Sequence, residues 1–216
     1  SRSAMMGAPA EALEMAQEAE IHIPINAPES ERSTALATVL WLQAEAQTRS
    51  NDPRAAEPLV ARALELIEGR NQTTTIRGDL LLAQGRIQQA LGNTQMAFAS
   101  FIDAYEEYRL QDWARGQGVS RQKIGDLYND ARDFERAIEN YDLSMEVYDQ
   151  EPPMTMVTEN NRANALRGLE RYQEAEERYR RALDIARTLN SPHLVARILT
   201  NIAHTQVLGG DYAAAE

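Results

Sequence analysis

A spaced pattern that returns five times is the feature that most limits how this chain folds. Small residues stand at Ala44, Gly85, Gly125, Ala163 and Ala203, at intervals of 41, 40, 38 and 40 residues. Twelve residues after each of them comes an alanine: Ala56, Ala97, Ala137, Ala175 and Ala215. Four further on sits Val60, Phe101, Tyr141 or Tyr179, and three beyond that Ala63, Ala104, Ser144 or Ala182. A break divides each copy, at Asn51-Asp52-Pro53, Gly92-Asn93-Thr94, Arg132-Asp133-Phe134, Glu170-Arg171-Tyr172 and Gly210-Asp211-Tyr212. The cleanest copy, 121–147, reads as two amphipathic helices. The first carries Ile124, Gly125, Leu127, Tyr128 and Ala131, and the second Phe134, Ala137, Ile138, Tyr141, Ser144 and Val147, at helical spacing. Neither stripe is wide enough to be buried alone. Gly125 and the alanine opposite it let two backbones approach, while Tyr128 and Tyr141 fill the wider gaps. Such a hairpin becomes stable by stacking on copies of itself.

At these residues the chain resembles the tetratricopeptide repeat family, over about 35 to 216, with Gly210-Asp211-Tyr212 followed by Ala215 as its most typical turn. The period exceeds the family's ~34 residues and is similar to the longer-helix variants of kinesin light chains and bacterial peptide-sensing regulators. Gln43, Gln47, Gln84, Gln88, Arg162 and Gln206 depart from the family by standing at first-helix core positions that are usually apolar. The resemblance implies an all-α fold, a right-handed α-α superhelix of about five helical hairpins with the last truncated.

The expected organisation is an N-terminal helix and Pro-containing connector at 1–28, then a repeat domain at 29–216 with repeats at about 30–70, 75–111, 112–150, 154–190 and 191–216. Pro9 to Glu20 reads as an Ala/Glu-rich helix with Leu13, Met15 and Ala16 on its apolar side, either a cap or half of a degenerate hairpin. Ile21 to Pro28 reads as an extended connector. Pro53 suits a first helical turn, whereas Pro58 is expected to cost stability or kink its helix. Thr73 to Thr75 and Ser191 offer caps, and Glu151-Pro152-Pro153 reads as a helix stop. Glu174 with Arg178, and Glu177 with Arg181, are spaced as solvent-face ion pairs. The chain stops at Glu216 within the second helix of its fifth hairpin, so the stripe of Ile198, Leu199, Ile202 and Leu208 is expected to lack a partner helix. Apolar surface left in water costs ~25 cal/mol per Å², and the expectation is that the natural protein continues or that another molecule covers this end.

Composition narrows the function. Net charge is -11, with 33 acidic against 22 basic residues, which opposes binding to nucleic acid phosphates or an anionic membrane. It favours a protein or peptide partner that is basic, or marks an ordinary solubilising surface. There is no cysteine, so disulfides, thiol catalysis and Cys-based metal sites are excluded, and the chain is compatible with a cytoplasmic or a periplasmic location. No apolar run reaches the ~20 residues of a membrane span. No zinc, phosphate-loop or nucleophile-elbow motif is present, and His22, His193 and His204 fall in three separate segments. Asp103, Glu106 and Glu107 read as a solvated face. The segment is therefore expected to be non-catalytic, with no cofactor and no metal.

In the resembled family the first helices line a concave wall. Mapped here, that wall is Trp41, Leu42 and Glu45; Leu82, Arg86 and Gln89; Gln122, Lys123, Asp126, Asn129 and Asp130; Asn160, Asn161, Asn164 and Arg167; and Thr200, Asn201, His204 and Val207, with Arg197 one turn earlier. A primary amide both donates to a C=O and accepts from an N–H of an extended peptide. Asn160, Asn161, Asn164 and Asn201, flanked by Lys123, Arg167 and Arg197, thus form a candidate site for a peptide backbone or its terminal carboxylate; the alternative is that the amides bridge neighbouring helices. Gln122 and Asp126 stand where a carboxylate-clamp adaptor has Lys and Asn, and Asp126 is expected to repel a carboxylate. Two roles follow: the sensor or interaction region of a larger bacterial regulatory protein, or a structural scaffold that self-associates, as a homodimer, through the exposed terminal hairpin and the Trp41 region.

Overall fold

The computed structural model describes residues 9–23, 26–69, 74–148 and 151–210. Thr73, the Pro24-Ile25 part of the connector, and Asp211, Tyr212 and Ala215 of the last copy lie outside them. Ten α-helices are formed among the described residues: α1 (Pro9–Ile21), α2 (Glu29–Arg49), α3 (Pro53–Ile67), α4 (Ile76–Ala90), α5 (Thr94–Leu110), α6 (Ala114–Asp130), α7 (Phe134–Met145), α8 (Pro152–Gly168), α9 (Tyr172–Thr188) and α10 (Pro192–Leu208). They divide into two compact units, Ser1–Gly116 and Gln117–Glu216. In the first, α1 packs on α2, α2 on α3, α3 on α4 and α4 on α5; in the second, α7 packs on α8, α8 on α9 and α9 on α10.

Each first helix of a hairpin ends the same way. The residue seven places after the small marker is left-handed in all five copies: Asn51 (φ 61), Gly92 (φ 81), Arg132 (φ 63), Glu170 (φ 60) and Gly210 (φ 84). The next residue's N–H then bonds back to a carbonyl five residues earlier, from Asp52 to Gln47 at 2.9 Å, Asn93 to Gln88 at 2.8 Å, Asp133 to Tyr128 at 2.9 Å and Arg171 to Leu166 at 3.0 Å. This double reversal satisfies the orphan carbonyls of the helix end. Asp52 and Asp133 then open the second helices by accepting from the N–H of Ala55 and Arg136, at 3.1 and 3.3 Å.

α3 includes Pro58, on its exposed side. Three local expectations need correcting. Glu151-Pro152-Pro153 opens α8 rather than only stopping a helix, because a proline's missing N–H is harmless in the first turn. Ile21 closes α1 instead of starting the connector. Ser191 and Thr75 head α10 and α4 without a side-chain cap bond; the Thr75 hydroxyl donates to Asp79 at 3.1 Å instead.

The repeated spacing acts through matched volumes. In the second and third hairpins the marker seats a bulky side chain of the second helix, and in the first and fourth Ala44 and Ala163 share an apolar cluster with Val60 and Tyr179. A Cβ on Gly85 would lie 2.4 Å from the Phe101 ring, and one on Gly125 2.7 Å from the Tyr141 ring. Seven residues before the marker a second pair repeats the device. Ala37 goes with Ile67; a Cβ on Gly78 would meet Tyr108 at 2.4 Å, and one on Gly118 would meet Tyr148 at 3.0 Å. The fourth hairpin inverts it, placing the large Met156 in the first helix and the small Ala186 in the second.

Four of the polar departures from the family pattern, Gln84, Gln88, Arg162 and Gln206, pair with a neighbouring helix. Gln88 Nε2 donates to Glu57 of the preceding hairpin at 2.8 Å, and Asn93 Nδ2 donates to Gln88 Oε1 at 2.8 Å. Gln206 Nε2 repeats this bond to Glu176 at 2.8 Å. At the equivalent seam between the third and fourth hairpins, Ile138 and Leu166 share an apolar cluster. Arg162 pairs with Asp142 at 2.7 Å, and Ser100 Oγ donates to Gln84 Oε1 at 3.3 Å.

The solvent-face pairs expected on α9 do not form. Glu174 pairs with Arg171 at 2.6 Å, while Arg178 and Arg181 approach Glu159 on α8 at 3.4 and 3.8 Å. Glu159 is buried, so its carboxylate draws in both guanidinium groups. The α10 stripe is also split. Ile198 and Ile202 are buried, in one apolar cluster with α9, and only Leu199 and Leu208 stay exposed, at 45% and 47%.

Candidate binding surface

In the second unit a chain of side-chain hydrogen bonds ties the first helices α6, α8 and α10 together. Asn201 Nδ2 donates to Asn160 Oδ1 at 3.1 Å, Asn160 Nδ2 to Asn161 Oδ1 at 3.3 Å, and Asn161 Nδ2 to Asp126 Oδ1 at 2.9 Å. Lys123 Nζ donates to Asp126 Oδ2 at 2.8 Å, and the Tyr141 hydroxyl donates to Asp126 Oδ1 at 3.1 Å. Asp126 therefore serves three donors from three helices. Burial, and after it the Asp126 charge, push the Tyr141 phenol well above its usual value.

One hairpin later the same positions carry a second cluster. The Tyr179 hydroxyl donates to Asn164 Oδ1 at 2.5 Å. Arg167 Nη2 donates to that oxygen at 3.4 Å, and the Arg167 guanidinium lies 6.0 Å from the Tyr179 ring centroid. Burial raises the Tyr179 phenol to about 12, with Arg167 pulling the other way.

Among the predicted site residues, Gln122 and Asn160 are buried, so Asn160 acts as a bridge between helices. Lys123, Asp126, Asn129, Asn161, Asn164, Arg167 and Asn201 are half-buried along the shared face, and Arg197 and His204 are exposed. Gln122 Nε2, Asn129 Oδ1 and Arg167 Nη1 have no hydrogen-bond partner. In the first unit, Trp41 packs against the apolar cluster of α2, α3 and α4, and Arg86 is ion-paired with Glu45 across α2 and α4. The predicted residues thus fall into two groups, one in each unit. Sequence reasoning missed Glu159 and the two tyrosine hydroxyls. Repeat arithmetic carried the second signal, since Tyr141 and Tyr179 each stand fifteen residues after a polar partner, Asp126 or Asn164. Among the described residues no group of three or more His, Asp or Glu is placed to hold a metal ion, and no helix is long and apolar enough to cross a membrane.

Residues 154–216 match the family model described as tetratricopeptide repeat. The fold is of the tetratricopeptide type. Solved structures with this fold extend the likeness to nearly the whole chain at low identity. BtubC (BKLC) from P. vanneervenii is 17% identical with a TM-score of 0.77, covering 96% of this chain and 84% of that one. A signal transduction ATPase with numerous domains and a tetratricopeptide repeat sensor, from Pyrococcus horikoshii, is 15% identical with a TM-score of 0.77, over 95% of this chain and 31% of that one. A Rap protein complexed with Competence and Sporulation Factor is 16% identical with a TM-score of 0.73, over 94% of this chain and 55% of that one. No curated protein matches the chain in sequence.

Proposed function

We propose that this tetratricopeptide-type segment is a non-catalytic protein- or peptide-binding module, the sensor or interaction region of a larger bacterial regulator. The observation that carries this reading is the amide chain Asn201–Asn160–Asn161–Asp126 running across α10, α8 and α6. It fixes three neighbouring helices at one spacing and lines their shared face with groups that pair with an extended backbone. The printed descriptions of two similar structures, a repeat sensor within a signalling ATPase and a Rap protein complexed with a factor, support the same class of role. The buried Asn160 bridges helices, as the second alternative read from the sequence has it, while Asn161 and Asn201 are half-buried. The basic partner expected from the net charge draws no support from this face, where Asp126 already accepts from Lys123, Tyr141 and Asn161.

The test is selection of a random dodecapeptide display library on the protein. Peptides recovered on the native chain should lose binding to an Arg197→Glu, Asn201→Asp variant whose helicity and mass are unchanged. Equal binding to both would remove this face from the reading.

A second reading, a self-associating scaffold, has its own observation: Leu199, Val207 and Leu208 on α10 are exposed at 45%, 43% and 47%. Light scattering decides it, since Leu199→Glu with Val207→Glu should turn a dimer into a monomer. A native chain that is monomeric at high concentration would end it.

A further inference from the structure

We infer that the open face of α10 docks a second copy of this chain, and that the surface it meets on that copy is the outer side of α1. This rests on the self-association reading above and names the partner surface. Among the described helices, α1 is the one with no Lys or Arg, and α10 is the one with no Asp or Glu. α1 carries Glu11, Glu14, Glu18 and Glu20, whereas α10 carries Arg197. On α1 the spacing of three and four residues puts Glu11, Glu14, Met15, Glu18 and Ile21 on one arc, opposite the buried Ala16. All five are exposed, Met15 at 43% and Ile21 at 82%. On α10 the same spacing lines up Ala196, Leu199, Ala203 and Val207, with the exposed Arg197 and His204 beside them.

Charge decides which of these surfaces can meet. The chain carries a net -11, so two copies repel over most of their surface and associate where the local balance is reversed. α10 against α10 would set Arg197 against Arg197, and α1 against α1 would set glutamates against glutamates. α10 against α1 brings the helix free of carboxylates to the helix free of cations. The same pairing offers Leu199 and Val207 an apolar cover in Met15 and Ile21, side chains that otherwise stay in water. Such a contact is heterologous, because it joins two different patches. A pair of copies joined once leaves one α1 and one α10 open, and assembly then grows with concentration unless it closes as a ring.

The experiment uses the full chain and two variants: Glu14→Lys with Glu18→Lys, which reverses the α1 face, and Leu199→Gln with Val207→Gln, which makes α10 polar without adding charge. Circular dichroism should show unchanged helicity, since all four side chains are exposed. In sedimentation equilibrium the native chain should associate, and less so as NaCl is raised. Each variant alone should associate roughly tenfold more weakly or worse. Mixed, the two should form a one-to-one pair, because one brings an intact α10 and the other an intact α1. A native chain that stays monomeric at high concentration would overturn this inference together with the self-association reading. An α1 variant that associates as the native chain does, beside an α10 variant that does not, would overturn α1 as the receiving surface and leave self-association through α10 in place. Native-like association of the α10 variant would overturn α10 as the docking face. Variants that stay apart when mixed would overturn the heterologous contact, and association strengthened by salt would overturn its charge complementarity.

Discussion

The left-handed residue that ends each first helix is where single side chains set stability most plainly. Gly92 and Gly210 adopt this conformation freely, but Arg132 and Glu170 hold φ of 63° and 60° with a Cβ in place. A left-handed L-residue costs about 1 kcal/mol relative to glycine. Glu170→Gly should therefore raise the stability of the second unit by about that amount in urea denaturation, less whatever glycine loses through its freer unfolded chain; a loss of stability would show that the Glu170 side chain contributes something its exposure does not reveal. Residue type alone marks only the two glycines and Asn51 as left-handed, whereas Arg132 and Glu170 are found by their place in the repeat. The candidate site was legible in a similar way. The asparagines and Arg167 were found by position, but which amide bridges and which stays half-open depends on the offset between neighbouring helices, and no single helix encodes that.

Hairpins were the most legible level, because small residues that recur five times, with a bulky one at a fixed distance in four of the copies, report packing directly. Tyr108 shows how tight that packing is. Its ring lies over Gly78 and Gly116, where added Cβ atoms would stand 2.4 and 2.5 Å away, and its hydroxyl donates to Asp79 at 2.9 Å. Gly78→Ala should destabilise by about 1–3 kcal/mol as an overpacked site, while the same change in a Tyr108→Ala background should cost little. A double-mutant cycle by thermal unfolding measures that coupling, and additive effects would contradict the seat. What the sequence hid at this level was competition between helices. Spacing within α9 nominated Glu174 and Glu177 as partners for Arg178 and Arg181, yet the buried Glu159 on α8 draws both arginines across. Likewise, the spacing of Ile198 and Ile202 along α10 shows an apolar stripe but not its cover, which the preceding helix α9 supplies.

Within each unit, the helix pairs packed among the described residues are consecutive in the chain, or next but one as α2 and α4 are. Stability in such an arrangement is a sum of local terms and nearest-neighbour seams, and contacts close in sequence form quickly. Amide hydrogen exchange should then be graded within each unit, with α1 and α10 losing protection before α4 and α8; uniform protection released in one step would show tighter coupling than these contacts provide. The seams themselves differ. Gln88 meets Glu57 and Gln206 meets Glu176 across polar junctions, while Ile138 and Leu166 make a greasy one, and Met156 over Ala186 reverses the volumes used elsewhere. Hairpins of one outline are for that reason not interchangeable bricks. Shuffling their order would bury a lone amide against an isoleucine or force two large side chains into one socket, so the chain carries its own assembly sequence in the joints rather than in the blocks.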